Sequence, residues 1–188
     1  KKSGLIVITG ETGSGKTSTI YSMIEHIDRE RLNVSTLEDP VERTIEGVNH
    51  TPITPSFSFS DGLRALMRQD PDVILIGEIR DEATAKLAVR AGSTGHLVIS
   101  TMHTNTALNI PKVFEYYGAD KLQLMNSLIL GVNQRLVARL CQHCALKGKL
   151  FKDSKLINKK GCQNCNGGID GTRELIFEYF TANEILGD

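Results

Sequence analysis

Two groups of residues in this chain have the types and spacing to do chemistry. The first is the run Gly10-Glu11-Thr12-Gly13-Ser14-Gly15-Lys16-Thr17, a G-x-x-x-x-G-K-[ST] pattern set between an apolar run and a stretch of helical periodicity. Glycines let backbone N–H groups approach an anion, and a helix starting near Lys16 turns its positive end toward it. Lys16 brings a charge to the β and γ phosphates, and the Thr17 hydroxyl is a Mg²⁺ ligand. The expected ligand is ATP with Mg²⁺, held by Thr12, Gly13, Ser14, Gly15, Lys16, Thr17 and Ser18. A chance glycine turn does not account for four fixed positions in a strand-to-helix context. The second group is Cys141 with Cys144 and Cys162 with Cys165, two Cys-x-x-Cys pairs separated by 17 residues. That spacing lies in the window associated with zinc. Four thiolates close a tetrahedral shell and leave no place for a reacting water, so a structural Zn²⁺ is expected. Two redox dithiols or a nucleic-acid-binding ribbon are the alternatives. The lysines at 147, 149, 152, 155, 159 and 160 keep the ribbon open, although they read equally as a solvated basic surface.

Further candidates follow from where such a loop sits. In open α/β sheets ligands bind beyond the carboxyl ends of the strands, so polar residues just past each apolar run are the ones that count. Three clusters qualify: Glu38, Asp39 and Glu42; Glu78, Arg80 and Asp81; and His103, Thr104 and Asn105. Glu78 is expected to hold Mg²⁺ with Thr17, directly or through water. Glu38 is expected to orient the attacking water, in preference to Glu42, because it ends a strand. His103 is placed to sense the γ phosphate. Asp81 reads as a helix cap, Asp70 and Asp72 as turn residues, and His96 as a structural histidine.

The elements that must position these groups are legible as periodicity. Short apolar, partly β-branched runs at Leu5–Ile8, Val34–Leu37, Val73–Ile76 and Leu97–Ile99 read as buried parallel strands. Between them, helices are expected over Lys16–Ile27, over Asp61–Arg68 with Ser60 as cap, and over Asp81–Ala91 with Gly92 as a stop. Pro40–Phe59 reads as a loop or small edge hairpin, and Ala107–Leu140 as mostly helical with breaks at Gly118 and Gly131. The alternation implies an α/β fold, a mostly parallel sheet flanked by helices with a small tetracysteine module attached. The expected division is a core over 1–140, the module over 141–170 and a return segment over 171–188.

Composition narrows the partners. Lys plus Arg and Asp plus Glu are each 22, so no net field draws the chain onto nucleic acid or an anionic membrane. No apolar run approaches the roughly 20 residues of a membrane-spanning helix. Closely paired cysteines in a chain of this size suit a reducing, cytoplasmic compartment. The chain opens at Lys1 without a methionine and reaches a strand almost at once, which reads as a piece of a longer protein.

In four successive boxes the sequence resembles the hexameric ATPases of type II secretion and type IV pilus assembly: Gly10–Thr17, Thr36–Glu42, Leu63–Asp81 and Gly95–Asn105. Gln134–Cys141 and Gly171–Arg173 are similar to the segments that flank that family's tetracysteine module. The resemblance implies a RecA-like P-loop ATPase core in a homo-oligomeric ring that turns ATP hydrolysis into extrusion of a pilus or pseudopilus. The implied partners are an inner-membrane platform protein and a cytoplasmic adaptor, with the membrane met only peripherally and no nucleic acid. It supports Glu38 as catalytic glutamate, Glu78 as Walker B carboxylate and His103 as phosphate sensor. Because the tetracysteine module is generally missing from retraction ATPases, assembly or secretion is favoured over retraction. Departures are Glu11 for a common proline, His50 for a usual glutamine, and Asn109–Lys112 in place of an arginine-bearing helix. The family's N-terminal domain, which brings arginines to the nucleotide, and its C-terminal tail are not in this sequence. An arginine finger contributes roughly 10³–10⁵ in rate, so weak turnover is expected of these residues alone. A RecA-like nucleic-acid translocase is disfavoured by the neutral charge and the lack of an aromatic-basic stripe. A nucleotide-gated scaffold without hydrolysis is disfavoured by the presence of Glu38 and Glu78.

Overall fold

The computed structural model describes residues 3–147 and 155–182; the lysines at 149 and 152 and the end of the expected return segment lie outside them. Two compact units are present, one formed by residues up to Gln134 together with those from Phe177 onward, the other by Arg135–Ile176.

Six parallel strands build the first unit: β1 (Gly4–Thr9), β2 (Val34–Glu38), β3 (Val48–Pro52), β4 (Val73–Ile76), β5 (Leu97–Met102) and the start of β6 (Leu128–Leu140). The second unit adds a short antiparallel pair, β7 (Leu146–Lys147) and β8 (Lys155–Leu156), and the chain returns in β9 (Ile169–Thr181). The large sheet has the order β3-β2-β4-β5-β1-β6-β9, which puts β1 between β5 and β6. The helices are α1 (Lys16–Glu25), α2 (Phe59–Leu66), α3 (Glu82–Ser93), α4 (Ile110–Tyr116) and α5 (Lys121–Ser127). None of the helices among the described residues is long and apolar enough to cross a membrane.

Period-two alternation divides the strand side chains between two cores. Leu5, Val7, Ile74, Ile76 and Val98 pack with α2, α3, α4 and α5, whereas Ile6, Ile8, Val73, Leu75 and Ile99 pack with Ile20 and Ile24 of α1. Because both faces are covered, the strands read as continuous apolar runs. The four expected strands and three expected helices are all present, with boundary shifts. Helix α2 is capped by Ser58, not Ser60, through a reciprocal capping box with Asp61, and α3 continues past Gly92 to Ser93, with Thr94 as its C-cap. Asp81 caps α3 by accepting from Thr84, Asp72 accepts the Asn33 N–H at 2.8 Å, and His96 is bound to the Ala91 carbonyl, each as read from sequence.

Two segments differ from expectation. Val48–Pro52 is a parallel edge strand on β2, not a loop or hairpin, and Pro52 is its last residue. Residues 128–140 form a strand, not a helix, because Leu5–Thr9 offers them an open edge to pair with. Tertiary pairing here overrides the helix preference of Leu, Gln, Arg and Ala. Gly131, expected to break a helix, instead admits a neighbour: a Cβ there would lie 2.3 Å from Cζ of Phe180 and 2.9 Å from Cδ1 of Ile110. Gly131→Ala is therefore expected to destabilise the first unit by about 1–3 kcal/mol, the usual cost of overpacking. Denaturant titration checks this, and an unchanged midpoint would mean that Phe180 yields freely.

Candidate functional site

The loop between β1 and α1 hangs from a strand that is buried along its whole length. Gly10 has a φ of 144°, and a Cβ there would lie 2.3 Å from the Gln134 carbonyl oxygen, so only glycine lets the loop approach β6 this closely. Gly15 takes the left-handed conformation, with a φ of 85°, and α1 begins at the next residue. The loop closes on itself through the Ser14 N–H to the Glu11 carbonyl, 3.1 Å. Lys16 Nζ donates back to the Gly10 and Glu11 carbonyls at 2.8 and 3.0 Å. Burial pushes the Lys16 ammonium below its usual range, and the Glu78 carboxylate opposes that shift.

The carboxyl ends of β2, β4 and β5 are laced together by short contacts. The Gly77 N–H donates to the Leu37 carbonyl at 2.7 Å, Thr101 Oγ1 to the Gly77 carbonyl at 2.6 Å, and the Ile79 N–H to the Thr101 carbonyl at 2.9 Å. This lacing presents Glu78 beside His103, Oε2 to Nε2 3.9 Å, with Glu78 partly exposed and His103 more so. Arg80 bridges the Glu78 and Asp39 carboxylates, 3.1 Å from each. Lys16, Glu78 and His103 thus share one electrostatic neighbourhood, as their positions after successive strands imply.

Glu38 is the last residue of β2, as its place after the apolar run implies, and side chains enclose it. It is 4% exposed, with Oε1 accepting from Thr36 Oγ1 at 2.6 Å and from His50 Nδ1 at 2.8 Å, while Oε2 accepts from the Tyr21 hydroxyl. The His50 tautomer follows from its other nitrogen. Nε2 accepts the Ile45 N–H at 3.0 Å and so carries no proton, which makes Nδ1 the donor toward Glu38. A carboxylate held by three side chains ties α1 to β2 and β3, with two of those bonds on Oε1 and one on Oε2. Glu42, on the same segment, is exposed.

Sequence reading missed three polar residues behind the loop. Tyr21 supports Glu38, and Asn133 and Gln134 are buried at the point where β6 passes the loop. Gln134 Nε2 donates to the Ser14 carbonyl at 2.8 Å. Asn133 Nδ2 donates to Thr9 Oγ1 and to the Thr104 carbonyl, 2.9 Å each. An Asn-Gln pair inside an otherwise apolar run was the available signal.

The four cysteines of the second unit meet. Their sulfurs lie within 4.8 Å of one another, with Cys141 to Cys162 at 3.8 Å, Cys144 to Cys165 at 3.6 Å and Cys162 to Cys165 at 3.8 Å. A tetrahedron with metal–sulfur bonds of about 2.3 Å has edges of about 3.8 Å, so the donor set suits zinc. A disulfide, at about 2.05 Å, is excluded by the same distances.

Burial, followed by the bond to Glu38, pushes the Tyr21 phenol up to about 12. A phenol whose pKa is higher folded than unfolded, where it is about 10, stabilises the fold fully below pH 10. That contribution is lost as pH rises toward 12. Denaturation of the wild type between pH 9 and 12 should show this fall, and Tyr21→Phe should flatten it; identical slopes would show that Tyr21 is not linked to stability.

The family model for type II/IV secretion system proteins matches residues 1–187. Type II secretion system protein E of Klebsiella pneumoniae is 41% identical over 189 residues, covering 92% of this chain and 38% of that protein. The type IV pilus assembly ATPase PilB of Pseudomonas aeruginosa is 39% identical over 184 residues, covering 89% of this chain and 32% of that one. Among solved structures, the pilus retraction motor PilT with bound ADP superimposes with a TM-score of 0.74 at 34% identity, over 97% of this chain and 48% of that one. The chain spans less than half the length of these relatives. On a match that runs over nearly all of its residues, the chain belongs to the type II/IV secretion system protein family.

Proposed function

We propose that this chain is the ATP-hydrolysing core of a cytoplasmic motor that powers type IV pilus assembly or type II protein secretion. The observation that carries the proposal is the grouping of Lys16, Glu78 and His103 around a glycine loop at the carboxyl ends of parallel strands. Residues Thr12, Gly13, Ser14, Gly15, Lys16, Thr17 and Ser18 cradle the phosphates, and Thr17 and Glu78 hold Mg²⁺. Bound Mg²⁺ would supply charge neutralisation at the phosphates. Lys16 must leave the Gly10 and Glu11 carbonyls to reach a phosphate. His103 senses the γ phosphate. Glu38, held between α1, β2 and β3 by Tyr21, Thr36 and His50, orients the attacking water.

The longer protein acts as a ring, a hexamer by resemblance, with an inner-membrane platform protein and an adaptor, and arginines from elsewhere in it complete the site. We keep the division into a core over 1–140, a zinc module over 141–170 and a return segment over 171–188. The tetracysteine cluster supports assembly or secretion over retraction.

Activity is to be measured on the full-length protein. Lys16→Ala should lower ATP affinity at least tenfold, and Glu38→Gln should cut turnover by about 10²–10⁴ with ATP binding retained, the usual range for a general base. Activity indifferent to Lys16 would overturn the reading. If Glu42→Gln rather than Glu38→Gln removes turnover while leaving thermal stability intact, the water-orienting role belongs to Glu42.

One zinc per chain is expected by metal analysis. Replacing Cys162 with Ser should release it and lower the unfolding temperature, since structural zinc contributes on the order of 10 kcal/mol to such modules. Full metal content in that variant would rule the four-thiolate site out.

A further inference from the structure

Gln134 touches the phosphate loop from β6, and Asn133 touches the end of β1 that leads into it, which suggests how the loop is preset. A trans peptide group holds its C=O and N–H in one plane, pointing in opposite directions. Gln134 Nε2 donates to the Ser14 carbonyl at 2.8 Å, in a setting where Gln134 is 1% and Ser14 is 4% exposed. Fixing that carbonyl toward β6 turns the next N–H, that of Gly15, away from β6. The Gly10 backbone, packed on the Gln134 carbonyl oxygen, limits how far the loop can slide along the strand. One residue earlier, Asn133 ties the end of β1 to the segment after β5: its amide bridges Thr9 Oγ1 and the Thr104 carbonyl, and Thr9 Oγ1 in turn donates to the Val132 carbonyl at 3.1 Å. The Thr104 carbonyl belongs to the residue after His103.

We infer that Asn133 and Gln134 are positioning residues for the nucleotide. Gln134 sets the Ser14–Gly15 peptide so that the Gly15 N–H is presented to a phosphate, and Asn133 holds the His103 segment in register with the phosphate loop. The inference rests on the reading of that loop as an ATP site. Both residues are too enclosed to touch a nucleotide themselves, and neither offers a proton or a metal ligand to it. Their buried amides are also not needed to complete the sheet, since the strand bonds of β6 are made by its backbone.

The test uses the full-length protein and a fluorescent ADP, with ATP and adenosine as competitors. Gln134→Met keeps the length of the side chain and removes the donor; affinity for ADP and ATP should fall about tenfold, as for a lost bond to a buried carbonyl, while adenosine competes as before. Gln134→Glu supplies an internal control and carries the test should Gln134→Met not fold. Its buried carboxyl, with a pKa raised by desolvation, repels the Ser14 carbonyl at pH 8 and can donate to it once protonated. Relative to wild type, its ADP affinity should therefore recover between pH 8 and pH 6. Asn133→Asp, which loses both amide donors at nearly constant shape, should lower kcat more than it raises KM. Unchanged ADP affinity in folded Gln134→Met, or a loss that follows neither pH nor the phosphates of the ligand, would overturn the inference. Failure of the wild type to bind ADP, or binding that Lys16→Ala leaves intact, would instead remove the ATP-site reading beneath it.

Discussion

A phosphate loop can receive an anion at low cost only if its peptide groups are oriented beforehand, and this chain meets that constraint from the sheet rather than from the loop. Glycines supply the conformations but add no rigidity, since they lose more freedom on ordering than any other residue. What compensates is enclosure. Strand β1 is buried along its length between β5 and β6, and Thr9 at its end is fully enclosed and bonded to Val132 and Asn133. The left-handed turn at Gly15 then starts α1 where Ile20 and Ile24 can reach the second core. Removing water from those apolar side chains at roughly 25 cal/mol per Å² is what holds the helix end, and with it the positive end of the helix, against the loop.

The same logic governs the acids. A carboxylate at a strand end is cheap to place but costly to bury, and the chain treats its three differently. Glu38 is enclosed and so must be satisfied, which Thr36, Tyr21 and His50 achieve. Those partners, drawn from α1, β2 and β3, fix where its carboxylate points. Glu78 stays partly exposed and shares its charge among Arg80, His103 and Lys16. Glu42 is left in solvent. Glu78 and Asp39 share Arg80, which leaves negative charge beside Lys16 for a cation to meet when a phosphate enters.

The parts of the fold that were legible from sequence are those where one force dominates. Leu5–Ile8 and Val73–Ile76 are buried on both faces and read directly as parallel strands, and the glycine pattern marked the loop between strand and helix. Residues 128–140 were misread because their composition favours a helix while the free edge of β1 demands a strand, and that edge is a tertiary fact. Val48–Pro52 escaped for the opposite reason: an edge strand with residues as polar as Asn49 and His50 has little hydrophobic periodicity to show. Tyr21 had no local signature, and the Asn133-Gln134 pair marked a polar spot without naming its partners; a bond such as that from Gln134 to Ser14 depends on a strand order that only the folded sheet reveals.

The tetracysteine unit shows how a different balance gives a different legibility. Among its described residues it has few buried apolar side chains, Cys141 being enclosed while Cys144, Cys162 and Cys165 are only partly so. A segment of that kind cannot offset its chain entropy by hydrophobic burial alone. Its order must come from directed bonds, here the approach of four sulfurs and the hydrogen bond from the Cys141 N–H to the Gly168 carbonyl at 2.8 Å. Directed bonds need particular residues at particular spacings, whereas a hydrophobic core accepts many. That is why the spacing of four cysteines alone was enough to find this site, while the boundaries of the helices, set by the less specific demands of packing, shifted by a residue or more.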